Sequence, residues 1–143
     1  MARVVVGVDG SENSVRALHE AAEQARHRGA RLTVVSAWHF PALAMLPGPE
    51  DVPTPAGLEG AAQRAIDESI DKLGPGALDG LEVERKVVEG HPADVLLREA
   101  EGADLLVVGS QGLGGFRGML LGSVSSHCAH HATIPVMVVR APK

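Results

Sequence analysis

The chain contains no tyrosine, two phenylalanines and one tryptophan among its 143 residues. Binders of single-stranded nucleic acid stack bases on aromatic platforms, and Trp38, Phe40 and Phe116 are too few to build one. The core must therefore be aliphatic. Cysteine is as scarce: Cys128 stands alone. An intramolecular disulfide is excluded, a reducing compartment is expected, and the residue itself reads as a small buried apolar group. Positive charge is short too, with 13 Lys and Arg against 18 Asp and Glu for a net charge of −5. That balance argues against nonspecific nucleic-acid binding, which depends on neutralising phosphates with Lys and Arg. No apolar run approaches the ~20 residues of a membrane span. The N-terminus enters a strand without the apolar region and cleavage site of a signal peptide. The expectation is a soluble cytoplasmic protein folded as one domain over residues 1–143.

Two common phosphate motifs are also missing. There is no G-x-x-x-x-G-K-[ST], and G-x-G-x-x-G fails because Arg117 follows Gly112 and Gly114 where the third glycine belongs. What is present is VVGSQGLGGFRGMLLGSVSSH, an apolar strand, a glycine-rich stretch and a Gly-Ser step opening a helix. Its spacing is Gly109-x2-Gly112-x9-Gly122-Ser123. Glycine lets backbone approach an anion closely and tolerates positive φ. A helix N-terminus adds unpaired N–H donors and a favourable dipole. The segment thus has the parts of a phosphate cradle, although glycine clusters also occur as plain surface loops.

Along the chain, apolar runs alternate with helical patterns. Val4–Val8 reads as a strand buried on both faces. Ser11 is a candidate N-cap for a helix whose buried face is Val15, Leu18, Ala21, Ala22 and Ala25, closed by Gly29. Leu32–Ala37 is a second buried strand. From His39 to Pro55 come five prolines, at 41, 47, 49, 53 and 55, so this segment is expected to be neither helix nor central strand. Ala61, Ala62, Ala65, Ile66, Ile70 and Leu73 mark a second helix. Leu81, Val83, Arg85 and Val87 alternate as a strand with one wet side. Pro92 suits the first position of a third helix, with Ala93, Leu96, Leu97 and Ala100 on its buried face. Leu105–Val108 is another buried strand, Ser123 to His131 a fourth helix and Val136–Val139 a fifth strand. This alternation implies a parallel sheet covered on both faces.

The glycine signature resembles that of the universal stress protein family, in its nucleotide-binding form. VVVGVDGSENS, with its acidic turn at Asp9, is similar to the family's first strand. GHPADVLLREAEGADLLVVGS is similar to its third helix and fourth strand, and IPVMVVR to its last strand. The resemblance implies an open five-stranded parallel sheet, Rossmann-like, in the order 3-2-1-4-5. In that order strands one and four are neighbours whose connections leave in opposite directions, and ligands bind beyond the carboxyl ends of the strands at such a switch point. Asp9 and Gly109 both fall there.

The resemblance further implies an adenine nucleotide, ATP, with Mg²⁺ held mainly through phosphate oxygens. Asp9 reads either as a turn carboxylate or as a contact to ribose hydroxyls or metal. Ser123 reads as an N-cap whose hydroxyl and N–H also meet phosphate, with Gly122 giving close approach and Val124 a further backbone N–H. Arg117 is a phosphate-binding guanidinium or a solvated loop charge. Ala37 matches the family position whose backbone pairs with the adenine edge, Gly7 and Val8 would wall the pocket, and Val108 would pack on the base. No catalytic residue and no protein metal site is assigned.

His127, His130 and His131 form H-x-x-H-H. His127 and His131 have metal-ligand spacing, yet histidines at a helix C-terminus are also explained by the dipole. The resemblance implies a regulatory protein acting through nucleotide-dependent conformation or partner binding, and a homodimer. The alternatives are a slow ATPase, a nucleotide-independent dimeric interaction module and a cyclic-nucleotide binder. Phosphoryl transfer needs a group to position water and a cation to stabilise charge, and Gln111 and Arg117 are the available candidates.

Overall fold

A computed structural model describes residues 2–39, 54–111 and 122–141. The chain alternates strand and helix as β1 (Arg3–Gly7), α1 (Glu12–Arg28), β2 (Arg31–Trp38), α2 (Pro55–Leu73), β3 (Val83–Glu89), α3 (Pro92–Glu99), β4 (Leu105–Gly109), α4 (Ser123–His131) and β5 (Val136–Val139). The five strands form one sheet in the order β3-β2-β1-β4-β5, and every neighbouring pair is parallel. The expected fold class is the one observed.

Parallel strands are buried on both faces, so their side chains divide between two cores. Val4, Val6, Leu32, Val34 and Val107 point to one side, where Leu18 of α1 and Ile66 of α2 meet them. Val5, Val35, Leu106 and Val108 point to the other, against Val95 and Leu96 of α3 and Cys128 of α4. Burying one such Val or Leu contributes about 1.5–3 kcal/mol, and no aromatic side chain is among the buried residues described. The chain therefore lays α1 and α2 on one face, then crosses to place α3 and α4 on the other. The reversal falls between β1 and β4.

Local signals set the ends of the elements. The Ser11 side chain caps α1 by accepting from Ser14 N at 3.2 Å. Gly29 closes α1 at φ +61°, a left-handed conformation that favours glycine. Pro92 is the first residue of α3. Three expectations need correction. Pro55 is not in a helix-free segment: it opens α2 behind the cap Thr54, because a first-turn proline has no hydrogen bond to lose. Residues 40–53, with the other four prolines, lie outside the described residues. Ala61 is exposed rather than on the buried stripe of α2. Leu81 precedes β3 instead of joining it. In α3 the periodicity missed Val95, which is fully buried.

The two edges of the sheet differ. β3 carries consecutive charges at Glu84, Arg85 and Lys86, with Arg85 paired to Asp67 at 2.7 Å and Lys86 to Glu99 at 2.9 Å. β5 at the opposite edge is Val136, Met137, Val138 and Val139, all partly exposed. Among the described residues no helix is long and apolar enough to cross a membrane.

Candidate functional site

The carboxyl ends of β1 and β4 lie side by side, since Val6 pairs with Val107 and both chains run the same way. Past β1 comes Asp9-Gly10. Gly10 has φ +89°, which turns the chain sharply into α1. Asp9 Oδ1 accepts from Ser11 N at 2.9 Å, and Asp9 N donates to Ser14 Oγ at 3.2 Å. The carboxylate is thus part of the turn that starts α1, just past the carboxyl end of β1.

Past β4 the chain is fastened by a residue to which sequence reasoning gave no role. Asn13, 5% exposed in the first turn of α1, accepts from Gln111 N at 2.6 Å through Oδ1. Through Nδ2 it donates to Val139 O at 2.9 Å. One amide side chain thereby ties α1 to the ends of β4 and β5. The polar Asn-Ser pair inside an amphipathic helix was the available signal, because a buried side-chain amide needs partners. Ser110, also buried, works beside it. Its N–H donates to Val139 O at 2.8 Å, and its Oγ accepts from Ala141 N at 3.1 Å.

The Ser110 carbonyl receives Gly122 N at 2.5 Å and the hydroxyl of buried Ser125 at 3.3 Å. The first turn of α4 is therefore docked on the end of β4. Gly122, not Ser123, is the N-cap of α4, and no side chain caps this end. Ser123 is the first helical residue and is exposed. The backbone reason for glycine here also differs from the expectation. Gly122 has φ −76° and ψ 172°, extended backbone open to any residue, and Gly109 has no positive φ either. What glycine supplies is room. A Cβ on Gly122 would sit 3.0 Å from Ser110 O, and one on Gly109 would sit 2.8 Å from Asn13 Oδ1.

The structure gathers Asp9, Gly109, Gly122, Ser123 and Val124 around the switch point at the ends of β1 and β4. Gly112 and Arg117 lie outside the described residues. The remaining candidates separate. Val8 is packed in the α1 layer and Val108 in the α3–α4 layer, so their side chains do not share one wall. Gly7 faces Leu96, whose Cδ1 would lie 2.7 Å from an added Cβ; its smallness serves the packing of α3 on β1. Ala37 is partly exposed near the end of β2, followed by the half-buried Trp38. Cys128 is fully buried, and that burial pushes its thiol up from 9.0 to about 11. A cleft of about 480 Å³ lined by His19, Glu23, Arg26, Leu73 and Asp79 lies instead beside the loop that precedes β3, away from this crevice.

The chain matches the model of the universal stress protein family over residues 1–140. A universal stress protein of Mycolicibacterium smegmatis is 41% identical over 137 residues, which cover 96% of this chain and 45% of that protein. One of Mycobacterium tuberculosis is 38% identical over 139 residues, covering 97% of this chain and 45% of the other. The chain thus spans about half the length of the curated relatives it matches. A solved universal stress protein in complex with cAMP superposes with a TM-score of 0.71 at 32% identity, over 96% of both chains. A second, from Lactobacillus plantarum, has a TM-score of 0.78 at 22% identity over 97% of both, a likeness of fold. With the family model matched almost end to end, the chain belongs to the universal stress protein family.

Proposed function

We propose that this chain binds an adenine nucleotide, ATP, in the crevice at the ends of β1 and β4, and that binding regulates its conformation or its association with a partner. The observation that carries the reading is the docking of α4. Gly122 N on Ser110 O fixes the helix start beside the glycine signature, and the first N–H groups of a helix have no partner within it. Those donors and the dipole suit a phosphate, with Ser123 and Val124 supplying N–H groups and Gly112 and Arg117 completing the cradle from the glycine-rich stretch. Asp9 meets the ribose or the metal, and the adenine lies toward Ala37 and Val108, with Gly7 and Val8 contributing backbone. Among the described residues no three His, Cys, Asp or Glu side chains could together hold a metal ion. A single carboxylate at Asp9 fits a Mg²⁺ bound through phosphate oxygens.

The chain acts in this reading as one domain, as a homodimer and without efficient turnover. A second reading, a cyclic nucleotide in the same crevice, is favoured by the cAMP complex of the 32% identical relative. Denaturing the purified protein and identifying the released nucleotide by chromatography separates the two. Titration with ATP and Mg²⁺, and with cAMP, then ranks them. No released nucleotide, together with no calorimetric or thermal response to millimolar ATP or cAMP, would sink both.

A further inference from the structure

The histidines at the far end of α4 take no part in the crevice. His127 and His131 stand one helical turn apart and both are exposed. Their ring centroids are 4.4 Å apart and the planes are inclined by 39°. Transition ions bind imidazole nitrogen at about 2.0–2.1 Å. Two such nitrogens on one ion therefore lie roughly 3 Å apart, a span that histidines one helical turn apart on one face can bridge. His130 is turned elsewhere, its Nδ1 lying 2.8 Å from Ser126 O. Across the helix interface Asp94 Oδ1 of α3 is 3.8 Å from His127 Nε2.

We infer that His127 and His131 form a two-histidine chelate for a divalent transition ion such as Ni²⁺, Cu²⁺ or Zn²⁺, with Asp94 as the adjacent negative charge. Imidazole suits these ions, whereas Mg²⁺ prefers oxygen ligands, so the site is chemically separate from any nucleotide-bound metal. No three described His, Cys, Asp or Glu residues could hold an ion together. Water therefore fills the remaining positions, and the ion is exchangeable. Structural zinc sites, by contrast, close four protein ligands around the metal. The chelate spans positions i and i+4, so occupancy holds the last turn of α4 helical.

A second pair of rings, His39 and His91, serves as the internal comparison. They are also 4.4 Å apart, inclined by 29°. No shared helix fixes their spacing, since His39 follows β2 and His91 is the N-cap of α3.

The test uses the full chain without a polyhistidine tag, freed of nucleotide, titrated with Ni²⁺ alone by calorimetry in a non-chelating buffer. One saturable site per chain is expected. His127→Gln and His131→Gln should each weaken it at least about tenfold, while His130→Gln and His91→Gln stay within about twofold of the parent. Circular dichroism of each variant establishes that these exposed positions leave the fold intact. The inference is overturned if the parent shows no saturable binding at about 100 μM Ni²⁺. It is overturned equally if the His127→Gln/His131→Gln double variant binds as the parent does, or if His91→Gln removes the site. Because no nucleotide is present, the outcome is independent of the function proposed above.

Discussion

Gly122 donates its backbone N–H to the carbonyl of Ser110 at 2.5 Å, so the residues flanking the glycine-rich stretch are joined directly. This contact decides what a side chain at position 122 would do. A Cβ would lie 3.0 Å from a backbone oxygen, which has little freedom to yield. Since φ at Gly122 is unstrained, Gly122→Val should fold, at a cost of about 1–3 kcal/mol for the displaced backbone. Nucleotide affinity should fall at least about tenfold as the start of α4 moves off β4. Calorimetric titration beside a urea melt checks both, and parental affinity in the folded variant would mean the phosphates lie elsewhere.

Asn13→Ala should be more damaging to stability than its small size suggests. It removes the acceptor Oδ1 from Gln111 N and one of the two donors to Val139 O, which keeps Ser110 N. Losing a hydrogen bond costs about 0.5–1.5 kcal/mol net, and here two go together. Denaturant unfolding measures the loss. A variant as stable as the parent would show that water replaces the amide at no cost.

Gly7 and Leu96 test packing against ligand contact. Gly7→Ala places a methyl 2.7 Å from Leu96 Cδ1 and should destabilise by about 1–3 kcal/mol. In the Gly7→Ala/Leu96→Ala double variant the two costs should be less than additive, because the smaller partner removes the overlap. Additive costs in a double-mutant cycle would place the Gly7 constraint somewhere other than α3.

The Cys128 thiol gives a pH prediction. Its folded-state pKa is raised from 9.0 to about 11 by burial. The folded protein therefore keeps a proton that the unfolded chain gives up, so unfolding releases a proton and becomes easier as pH climbs. Stability should be unaffected by this group below about pH 8 and should decline between 9.0 and about 11. A Cys128→Ala variant should lack that part of the decline. The native thiol should also resist alkylation at pH 8 and react on unfolding.

Turnover should be slow. Kinases reach ~1–100 per second with paired metals, a positioned base and a stabilising cation, whereas binding ground and transition states equally accelerates nothing. Phosphate release by the purified protein with Mg²⁺ should stay well under about one per second. Fast release, lost in Gly122→Val, would make the protein an enzyme.

The strands and helices were legible because most strands are short apolar runs and each helix carries a periodic stripe, whereas the order of the strands came from the family resemblance. Ser11, Gly29 and Pro92 marked their boundaries through local chemistry that needs no tertiary context. The start of α2 was hidden, since Pro55 looked like the last of a proline series and only the cap at Thr54 turns it into a helix opening. The glycines of the signature were visible, but their reason was not. Positive φ is a local property, while the space that Gly109 and Gly122 leave for Asn13 and Ser110 depends on residues distant in the chain. Asn13 itself was missed for the same cause: its partners come from β4 and β5, about a hundred residues downstream.

The unequal edges of the sheet carry a consequence for assembly. A strand that added to β3 would meet the consecutive charges of Glu84, Arg85 and Lys86, which discourage strand addition. The apolar β5 presents no such obstacle. Head-to-tail growth, β5 of one molecule on β3 of the next, would build an open filament, whereas β5 meeting β5 about a twofold axis consumes both available edges. Light scattering at tens of micromolar should therefore find a closed pair, with no higher polymer even as concentration rises, and a monomer there would remove the stable dimer. In such a pair the charged strand would work as a chain terminator.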